Sequence, residues 1–210
     1  MNIEAECRTF WAEHPKLAAW AHWRNGMGEK GWLDWGDRHR AMIERLARQV
    51  GVEIGSVLEW GVGGGANAWA FRDLTYTGVD ISPASLEQAR QRCPSAGLVL
   101  VEPDNPGTVD DLQRVDVFLC TAVIQHMHSK EAVEAMLTVA VDRVIPGCIG
   151  LVQTRWEAKA TERYADDWAR WIVYDDDEFR ALLERLGWDV LWTERRKPDY
   201  SYHGLVRRWR

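Results

Sequence analysis

Residues 56–69 read Ser-Val-Leu-Glu-Trp-Gly-Val-Gly-Gly-Gly-Ala-Asn-Ala-Trp, a short apolar run that meets an acidic residue and then breaks into glycines. A helical pattern begins after the glycines, so this stretch predicts a strand, a tight turn and the start of a helix. Glycine accepts positive φ and places no Cβ in the path of a ligand, while the first N–H groups of the helix lack partners within it. The pattern therefore predicts a turn that receives a nucleoside-bearing cofactor.

The glycines by themselves fit two classes of cofactor. They form a G-x-G-x-G pattern that begins at Gly61, but together with Ala66 they also satisfy the looser dinucleotide fingerprint. Asp80 ends the next apolar run, where either class places an acid against ribose hydroxyls. Glu59 separates the two classes, because a carboxylate just before the first glycine repels a pyrophosphate but suits a cofactor that carries an ammonium and a sulfonium. The favoured ligand is therefore S-adenosylmethionine.

The chain resembles the class I S-adenosylmethionine-dependent methyltransferase family. The resemblance rests on four motifs in order, which are residues 57–65, residues 78–82, the fourth-strand motif at 115–127, and the Val-Ile-Pro-Gly turn at 144–147. Trp60 and Cys148 depart from the commoner residues of these motifs. The resemblance implies an α/β fold: a single doubly wound Rossmann-like domain with a mostly parallel seven-stranded sheet, a C-terminal antiparallel hairpin and an N-terminal helical lid.

The resemblance also implies a set of cofactor contacts. Asp80 would meet the ribose, Asp104 the adenine amino group with Glu102 as the alternative, and Thr121 the methionine part or the acceptor. Glu59 would contact the methionine part or order the glycine turn. Asp104 has a competing interpretation, since it can simply shape a Pro-Asp-Asn-Pro turn. The full set of predicted cofactor residues is Glu59, Gly61, Gly63, Gly65, Asp80, Ile81, Asp104 and Thr121.

The composition predicts one domain without a membrane or nucleic-acid partner. The chain has 210 residues, of which 46% are hydrophobic, and a formal net charge of −6, whereas nucleic-acid binders usually carry a basic surface. The four cysteines are widely spaced without a C-x-x-C pair, so they predict reduced thiols. No basic, apolar leader and no apolar run of membrane length is visible, which predicts a cytoplasmic protein. We expect a monomer or a homodimer. We divide the domain into a lid at 1–50, a cofactor core at 51–152 and an acceptor wall with the hairpin at 153–210.

The local patterns predict the order of helices and strands. An amphipathic helix at 37–50 precedes the first strand, Ser82 and Ser129 begin two later helices, and Asp175 with Glu178 forms a capping box for another. The predicted strands are residues 56–60, 75–80, 98–101, 116–120, 148–153, 188–193 and 201–209. The third of them, at 98–101, is expected to be buried.

Aromatic residues concentrate in two segments that could face an acceptor. Five of the 13 tryptophans lie in the first 35 residues, around a glycine-rich stretch at 26–31 that predicts a joint for a movable lid. The second segment, at 155–174, is expected to wall the acceptor pocket. Packing as core is the competing interpretation for aromatics at helical spacing. The candidate acceptor-binding residues are Trp23, Trp35, Tyr164, Trp168 and Trp171.

Two histidines follow the fourth strand, where the transferred methyl is expected. Methyl transfer from a sulfonium is a direct displacement, and a hydroxyl acceptor then needs a base for its proton. His126 is the first candidate for this base and His128 the second. The alternative for His126 is a structural contact with local backbone or the sheet. No spacing typical of metal ligands is present.

The acceptor is predicted mainly by exclusion. Residues 121–124 read Thr-Ala-Val-Ile, without the Asp/Asn-Pro-Pro-aromatic run of base N-methyltransferases, and no Pro-Cys nucleophile is present. Tryptophans beside polar residues favour a saccharide or another hydroxylated small molecule, so we expect O-methylation. The alternatives are N-methylation, a non-catalytic partner subunit that keeps only the fold, and an RNA or protein methyltransferase. That last function would use a basic patch of Arg195, Arg196, Lys197, Arg207, Arg208 and Arg210.

Overall fold

The computed structural model describes Thr9, Trp11, Val109 and residues 28–101, 111–156, 172–196 and 200–209. The helices in these ranges are α1 (Gly28–Val50), α2 (Ala66–Ala70), α3 (Pro83–Arg92), α4 (Lys130–Asp142) and α5 (Asp176–Arg185), with a 3₁₀ turn at Ile124–His126. The strands are β1 (Ser56–Trp60), β2 (Thr75–Asp80), β3 (Gly97–Leu100), β4 (Val115–Cys120), β5 (Val144–Arg155), β6 (Trp188–Arg196) and β7 (Tyr200–Arg207).

The seven strands form one mixed sheet in the order β3-β2-β1-β4-β5-β7-β6. Strands β1 to β5 run parallel to one another, whereas β7 lies antiparallel to both β5 and β6. The strand order reverses between β1 and β4, which creates a crevice at their carboxyl ends where ligands of such sheets bind. The predicted α/β fold with a seven-stranded, mostly parallel sheet is confirmed.

Helices cover both faces of the sheet. One face, here called the α1 face, packs Ile43 and Leu46 of α1 together with α2 and α3. The opposite face, called the α4 face, packs α4 and α5. Alternate residues of β4 divide between the two: Leu119 belongs to the α1 face and Phe118 to the α4 face. A strand buried on both sides therefore reads as a continuous apolar run, as residues 117–120 do.

The predicted starts of three helices are largely confirmed. Ser82 and Ser129 cap α3 and α4 by accepting the N–H groups of Ser85 and Ala132 at 3.3 and 3.1 Å. Asp175 caps α5 through the N–H of Asp177 at 2.9 Å. The predicted reciprocal half of the capping box is replaced by another contact, since the Glu178 carboxylate bonds to Lys130 on α4.

Two strand predictions need correction. Residues 98–101 were expected to form a buried strand, but β3 spans Gly97–Leu100 at the end of the sheet, and Leu100 is 46% exposed. An apolar run by itself does not distinguish an edge strand from a central one. Strand β5 begins at Val144 rather than Cys148, so the expected turn at 144–147 is an irregular part of the strand, with Gly147 at φ 82°.

The expected glycine joint of the lid is also wrong for the residues that the structure describes. Helix α1 begins at Gly28, nine residues before the predicted start, and carries Gly31 and Gly36 inside it. Its amino-terminal half packs tightly on the turn after β1: Trp32 is buried, and a Cβ added to Gly64 would lie 2.8 Å from its indole. The amino-terminal half of α1 therefore packs beside that turn through Trp32. The other lid residues, including Trp20 and Trp23, lie outside the described ranges.

We expect Gly36→Ala to destabilise the fold by about 3 kcal/mol, the upper part of the range for overpacked sites. A Cβ at Gly36 would stand 2.3 Å from the carbonyl oxygen of Ala66, and backbone of α2 cannot rotate away as a side chain could. Gly97→Ala is the control, because the nearest atoms to its added Cβ lie at 3.5 and 3.6 Å. Urea unfolding of both variants tests this, and equal stabilities would contradict the tight approach of α1 to α2.

Candidate active site

The glycine turn joins β1 to α2 at the carboxyl edge of the sheet. Gly61, Gly63 and Gly65 have φ values of 77°, 52° and 88°, a region that side chains strain to enter. A Cβ added to Gly61 would lie 2.1 Å from the side chain of Val123, and one added to Gly65 2.9 Å from the backbone of Ala89. At Gly63 the added Cβ would meet no atom within 4 Å. Packing thus explains the outer two glycines, while Gly63 faces open space that a ligand could enter.

Asp80 ends β2 directly beside this turn. One carboxylate oxygen accepts the N–H of Gly63 at 2.8 Å, and the other accepts the N–H of Ser82 at 2.9 Å. Burial raises the pKa of this carboxyl, while the backbone hydrogen bonds, including that of Ile81, act in the opposite direction. Asp80 therefore fixes the middle of the glycine turn, and its predicted contact with ribose remains a prediction.

Glu59 lies beneath the turn and is only 2% exposed. Its carboxylate accepts hydrogen bonds from the hydroxyl of Tyr76 and from the side-chain amide of Asn67. Burial raises the pKa of Glu59 to about 7, and the two hydrogen bonds only partly offset that effect. These contacts support the interpretation in which Glu59 orders the glycine turn.

Asn67 connects Glu59 to three other parts of the chain. Its Nδ2 also donates to the hydroxyl of Thr121 at 3.2 Å, so its Oδ1 must accept, and Nδ1 of His39 lies 2.9 Å from it. Burial lowers the pKa of His39 to about 4, which leaves a neutral ring with its proton on Nδ1. The other ring nitrogen, Nε2, lies 3.2 Å from the Tyr202 hydroxyl. We call these side chains the Asn67 network: His39, Glu59, Asn67, Tyr76, Thr121 and Tyr202.

Four members of this network were not predicted from the sequence, namely His39, Asn67, Tyr76 and Tyr202. One signal was available for His39, because it lies four residues before Ile43 and seven before Leu46, on the buried stripe of α1. A polar residue on such a stripe usually has a hydrogen-bond partner. The partner could not be identified, since Tyr202 is 163 positions away in the chain.

The pH dependence of stability should reveal the cost of ionising Glu59. Because its pKa is raised from the model-peptide value of 4.5 to about 7, the folded state holds this proton more tightly, and stability is lost as pH rises through that interval. Between pH 5 and 7.5 the free energy of unfolding of the wild type should fall by about 2 to 3 kcal/mol more than that of Glu59→Gln. Urea unfolding across this range tests it, and parallel curves would contradict the raised pKa.

The tip of β4 leaves the strand through an unusual backbone conformation. Thr121 is buried, and Ala122 has φ 59°, the one positive φ of a non-glycine residue among the described ranges. The N–H of Ala122 donates to Oε1 of Gln153 on β5 at 2.9 Å. Such a conformation persists only where its surroundings hold it, and it is often found at functional sites. Gln153 is a fifth residue that the sequence patterns did not indicate.

His126 and His128 follow this tip. His126 is half-buried in the 3₁₀ turn, with its ring centroid 4.6 Å from that of Trp11. His128 is exposed. The fold thus brings His126 to the same sheet edge as the glycine turn, where it was predicted, and places a residue of the N-terminal segment against it.

Trp35 is the one predicted acceptor residue within the described ranges. It is half-buried, and its ring meets those of His39 and Tyr200 edge-on, with centroids 6.0 and 6.4 Å away. The Tyr200 hydroxyl accepts a hydrogen bond from Arg155 at 2.8 Å. Trp35 therefore lies near the carboxyl end of β5. The predictions for Asp104, Trp23, Tyr164, Trp168 and Trp171, and for Glu102 as the alternative, fall outside the described residues.

Two other features are absent from the described ranges. No group of three or more His, Cys, Asp or Glu side chains is arranged to hold a metal ion there. No helix in that part of the chain combines the length and the apolar character needed to cross a membrane.

Comparison with known proteins connects this geometry to a family. A family model described as a methyltransferase domain matches residues 58–149. No curated protein sequence matches the chain significantly.

Several solved structures share the fold. An amino pentose methyltransferase from Micromonospora echinaspora has a TM-score of 0.71 at 16% identity, with 90% of this chain and 96% of that chain covered. The magnesium protoporphyrin IX methyltransferase from Synechocystis PCC 6803 has a TM-score of 0.68 at 14% identity, with 99% and 98% covered. At such identities the likeness concerns the fold alone. Residues 58–149 thus match a methyltransferase domain, and the chain shares the fold of S-adenosylmethionine-dependent methyltransferases.

Proposed function

We propose that this protein transfers the methyl group of S-adenosylmethionine to a hydroxyl of a small molecule such as a saccharide. One observation carries the proposal: the open space at Gly63, bordered by Asp80, at the carboxyl edge where the strand order reverses. A nucleoside can approach the backbone there without meeting a Cβ, and an acid is already placed for its ribose. When bound, the cofactor supplies an electrophilic methyl group.

The chain's own residues fit this cofactor in named roles. The backbone of Gly61, Gly63 and Gly65 would line it, Asp80 would accept the ribose hydroxyls, and Ile81 would pack beside the nucleoside. Thr121 would border the methionine part, while Glu59 would act through the glycine turn that it supports. Asp104 stays the proposed partner of the adenine amino group.

For the acceptor, we assign His126 as general base and keep His128 as the alternative. His126 belongs to a short turn that directly follows β4, and its ring packs against Trp11. A base in this position takes the hydroxyl proton as the new bond forms. The Trp11 contact supports an N-terminal segment that covers the site and excludes water from it.

A saccharide or similar acceptor is supported by the surroundings of Trp35. Its ring, Tyr200 and the Arg155 guanidinium combine an apolar surface with hydrogen-bond donors near the carboxyl end of β5. The amino pentose methyltransferase with the same fold is consistent with a sugar-like acceptor. Trp23, Tyr164, Trp168 and Trp171 remain proposed acceptor contacts.

The nucleic-acid or protein alternative has weaker support. Arg195, Arg196 and Arg208 pair with Asp176, Glu194 and Asp189 at 2.5 to 2.6 Å, and Arg207 donates to the carbonyl of Leu186 at 2.6 Å. Cations that are already paired attract phosphate less strongly. Steeply salt-dependent binding to RNA would nevertheless favour this alternative.

The test has two steps. Calorimetry with S-adenosylhomocysteine asks whether the product cofactor binds, and absence of binding would favour a non-catalytic partner subunit. A panel of monosaccharides, glycosides and phenols, together with matched amines, is then assayed for formation of S-adenosylhomocysteine. Turnover with hydroxyl acceptors supports the proposal, whereas turnover with amines alone would assign N-methylation.

A further inference from the structure

Gln153 has a position in the sheet that connects the tip of β4 with the Asn67 network. It lies on β5 directly opposite Tyr202 of β7, and residues that pair across strands share a face. Leu151, two residues earlier, belongs to the α1 face, as does Val57, which lies two residues before Glu59 on β1. Gln153 therefore points to the same side of the sheet as Thr121 and the support of the glycine turn.

The side-chain amide of Gln153 is only half used by the protein. Its Oε1 accepts the N–H of Ala122 at 2.9 Å, and because an N–H must face an oxygen, this contact fixes which end of the amide is which. The residue is 1% exposed, and its Nε2 is buried without a hydrogen-bond partner in the described part of the chain. Buried amide donors are nearly always paired, so an unpaired one at a candidate site indicates a partner supplied by a ligand.

The polar groups near Nε2 of Gln153 indicate which kind of ligand atom it could bind. An N–H donor needs an acceptor atom, and the neighbouring Asn67 network consists of neutral groups and one buried carboxyl. It contains no lysine or arginine, so an anionic group in this place would have to be bound by neutral donors. Ala122 cannot supply its N–H, since that donor is already bonded to Gln153.

We propose that Nε2 of Gln153 donates a hydrogen bond to the carboxylate of the amino-acid part of S-adenosylmethionine. This inference rests on the proposed function, because it assigns a residue to one end of that cofactor. Gln153 then acts through both atoms of its amide. Its Oε1 holds the left-handed conformation at Ala122, and its Nε2 donates a hydrogen bond to the carboxylate of the cofactor. Such a hydrogen bond raises the affinity for nucleosides that carry the amino-acid part above the affinity for nucleosides that lack it.

The test compares two ligands that differ only beyond the sulfur. S-adenosylhomocysteine carries the amino-acid part, whereas 5′-methylthioadenosine lacks it. Gln153→Glu keeps an oxygen for the Ala122 N–H and replaces the donor by a second oxygen. At pH 8 we expect it to weaken S-adenosylhomocysteine at least tenfold in calorimetry, because a charge-assisted hydrogen bond is lost, and to leave methylthioadenosine within twofold.

Two further variants complete the experiment. A buried Glu in the first variant could keep a proton and would then still have an O–H donor. Gln153→Met has nearly the same length and no polar hydrogen, so it removes the donor in either case. It should show the same selective loss of affinity for S-adenosylhomocysteine. Gln91→Glu, at an exposed position of α3, controls for added negative charge and should change neither affinity.

Each outcome decides the inference. Equal losses for both ligands would show that Gln153 acts only by shaping the Ala122 turn, and unchanged affinity for both would show that Nε2 meets something else. Either result overturns the inference and leaves the proposed function standing. If the wild type binds neither ligand, the proposed function fails first and the inference fails with it.

Discussion

Asp80→Asn is expected to weaken the binding of S-adenosylhomocysteine at least 100-fold while the protein stays folded. The carboxylate is held between the N–H groups of Gly63 and Ser82, so it lies beside the open space at Gly63 and keeps further lone pairs for a ligand. Two charge-assisted hydrogen bonds to ribose hydroxyls contribute about 1.5 to 3 kcal/mol each. An asparagine keeps the shape but loses the charge and one acceptor, and calorimetry measures the loss.

Asp116→Asn is the matched control for this experiment. Asp116 also accepts two backbone N–H groups, those of Gly55 and Ser56 at 3.0 and 2.9 Å, but it does so at the beginning of β1 and thus at the opposite edge of the sheet. The control variant should cost stability without changing the affinity for the ligand. Equal loss of affinity in both variants would mean that Asp80 acts through the fold, and unchanged affinity in Asp80→Asn would remove its role toward ribose.

Short sequence patterns predicted the limits of those helices and strands whose ends depend on neighbouring residues. Strands β1 and β2 have the predicted limits, and helix α3 begins after Ser82 as predicted, since an N-cap serine followed by a proline marks a helix start. The start of α1 was missed because glycine has a low helix propensity, whereas Gly36 is required by its approach to α2. A tertiary contact therefore accounts for the glycine inside α1, and residues nearby in the sequence do not indicate such a contact.

The candidate site was predictable in its backbone and less so in its side chains. The glycines and Asp80 are recognisable because a tight turn with an adjoining acid needs particular residue types at short spacing. Gln153 and Ala122 are 31 positions apart, and only the pairing of β4 with β5 brings them together. The left-handed conformation of Ala122 could not be predicted, since that region of φ and ψ normally favours glycine or asparagine.

The structure also changes the physical argument for Glu59. The sequence suggested that its negative charge favours a positively charged cofactor over a pyrophosphate. Its carboxyl is instead bonded to Tyr76 and Asn67, with a pKa of about 7, so at neutral pH it carries only part of a charge. The discrimination that the sequence assigned to charge is better explained by the shape of the turn that Glu59 supports, with the open space at Gly63.

Replacing His126 tests the proposed chemistry separately from cofactor binding. We expect His126→Ala to lower kcat for a hydroxyl acceptor about 100-fold or more, the usual contribution of a positioned general base. The affinity for S-adenosylhomocysteine should stay within about twofold, because the glycine turn and Asp80 are untouched. Steady-state kinetics with the acceptor identified by the panel, together with calorimetry on the same variant, measure the two quantities.

Two companion variants decide between a chemical and a structural role of this histidine. His126→Gln keeps a flat polar side chain against Trp11, so it should restore folding and cofactor binding if the alanine variant disturbs them, yet it cannot take a proton and should keep kcat low. His128→Ala changes an exposed ring and should leave kcat nearly unchanged. If His128→Ala shows the loss instead, the base is His128. If neither histidine affects kcat, the hydroxyl proton leaves by another route, and His126 belongs to the packing of the N-terminal segment.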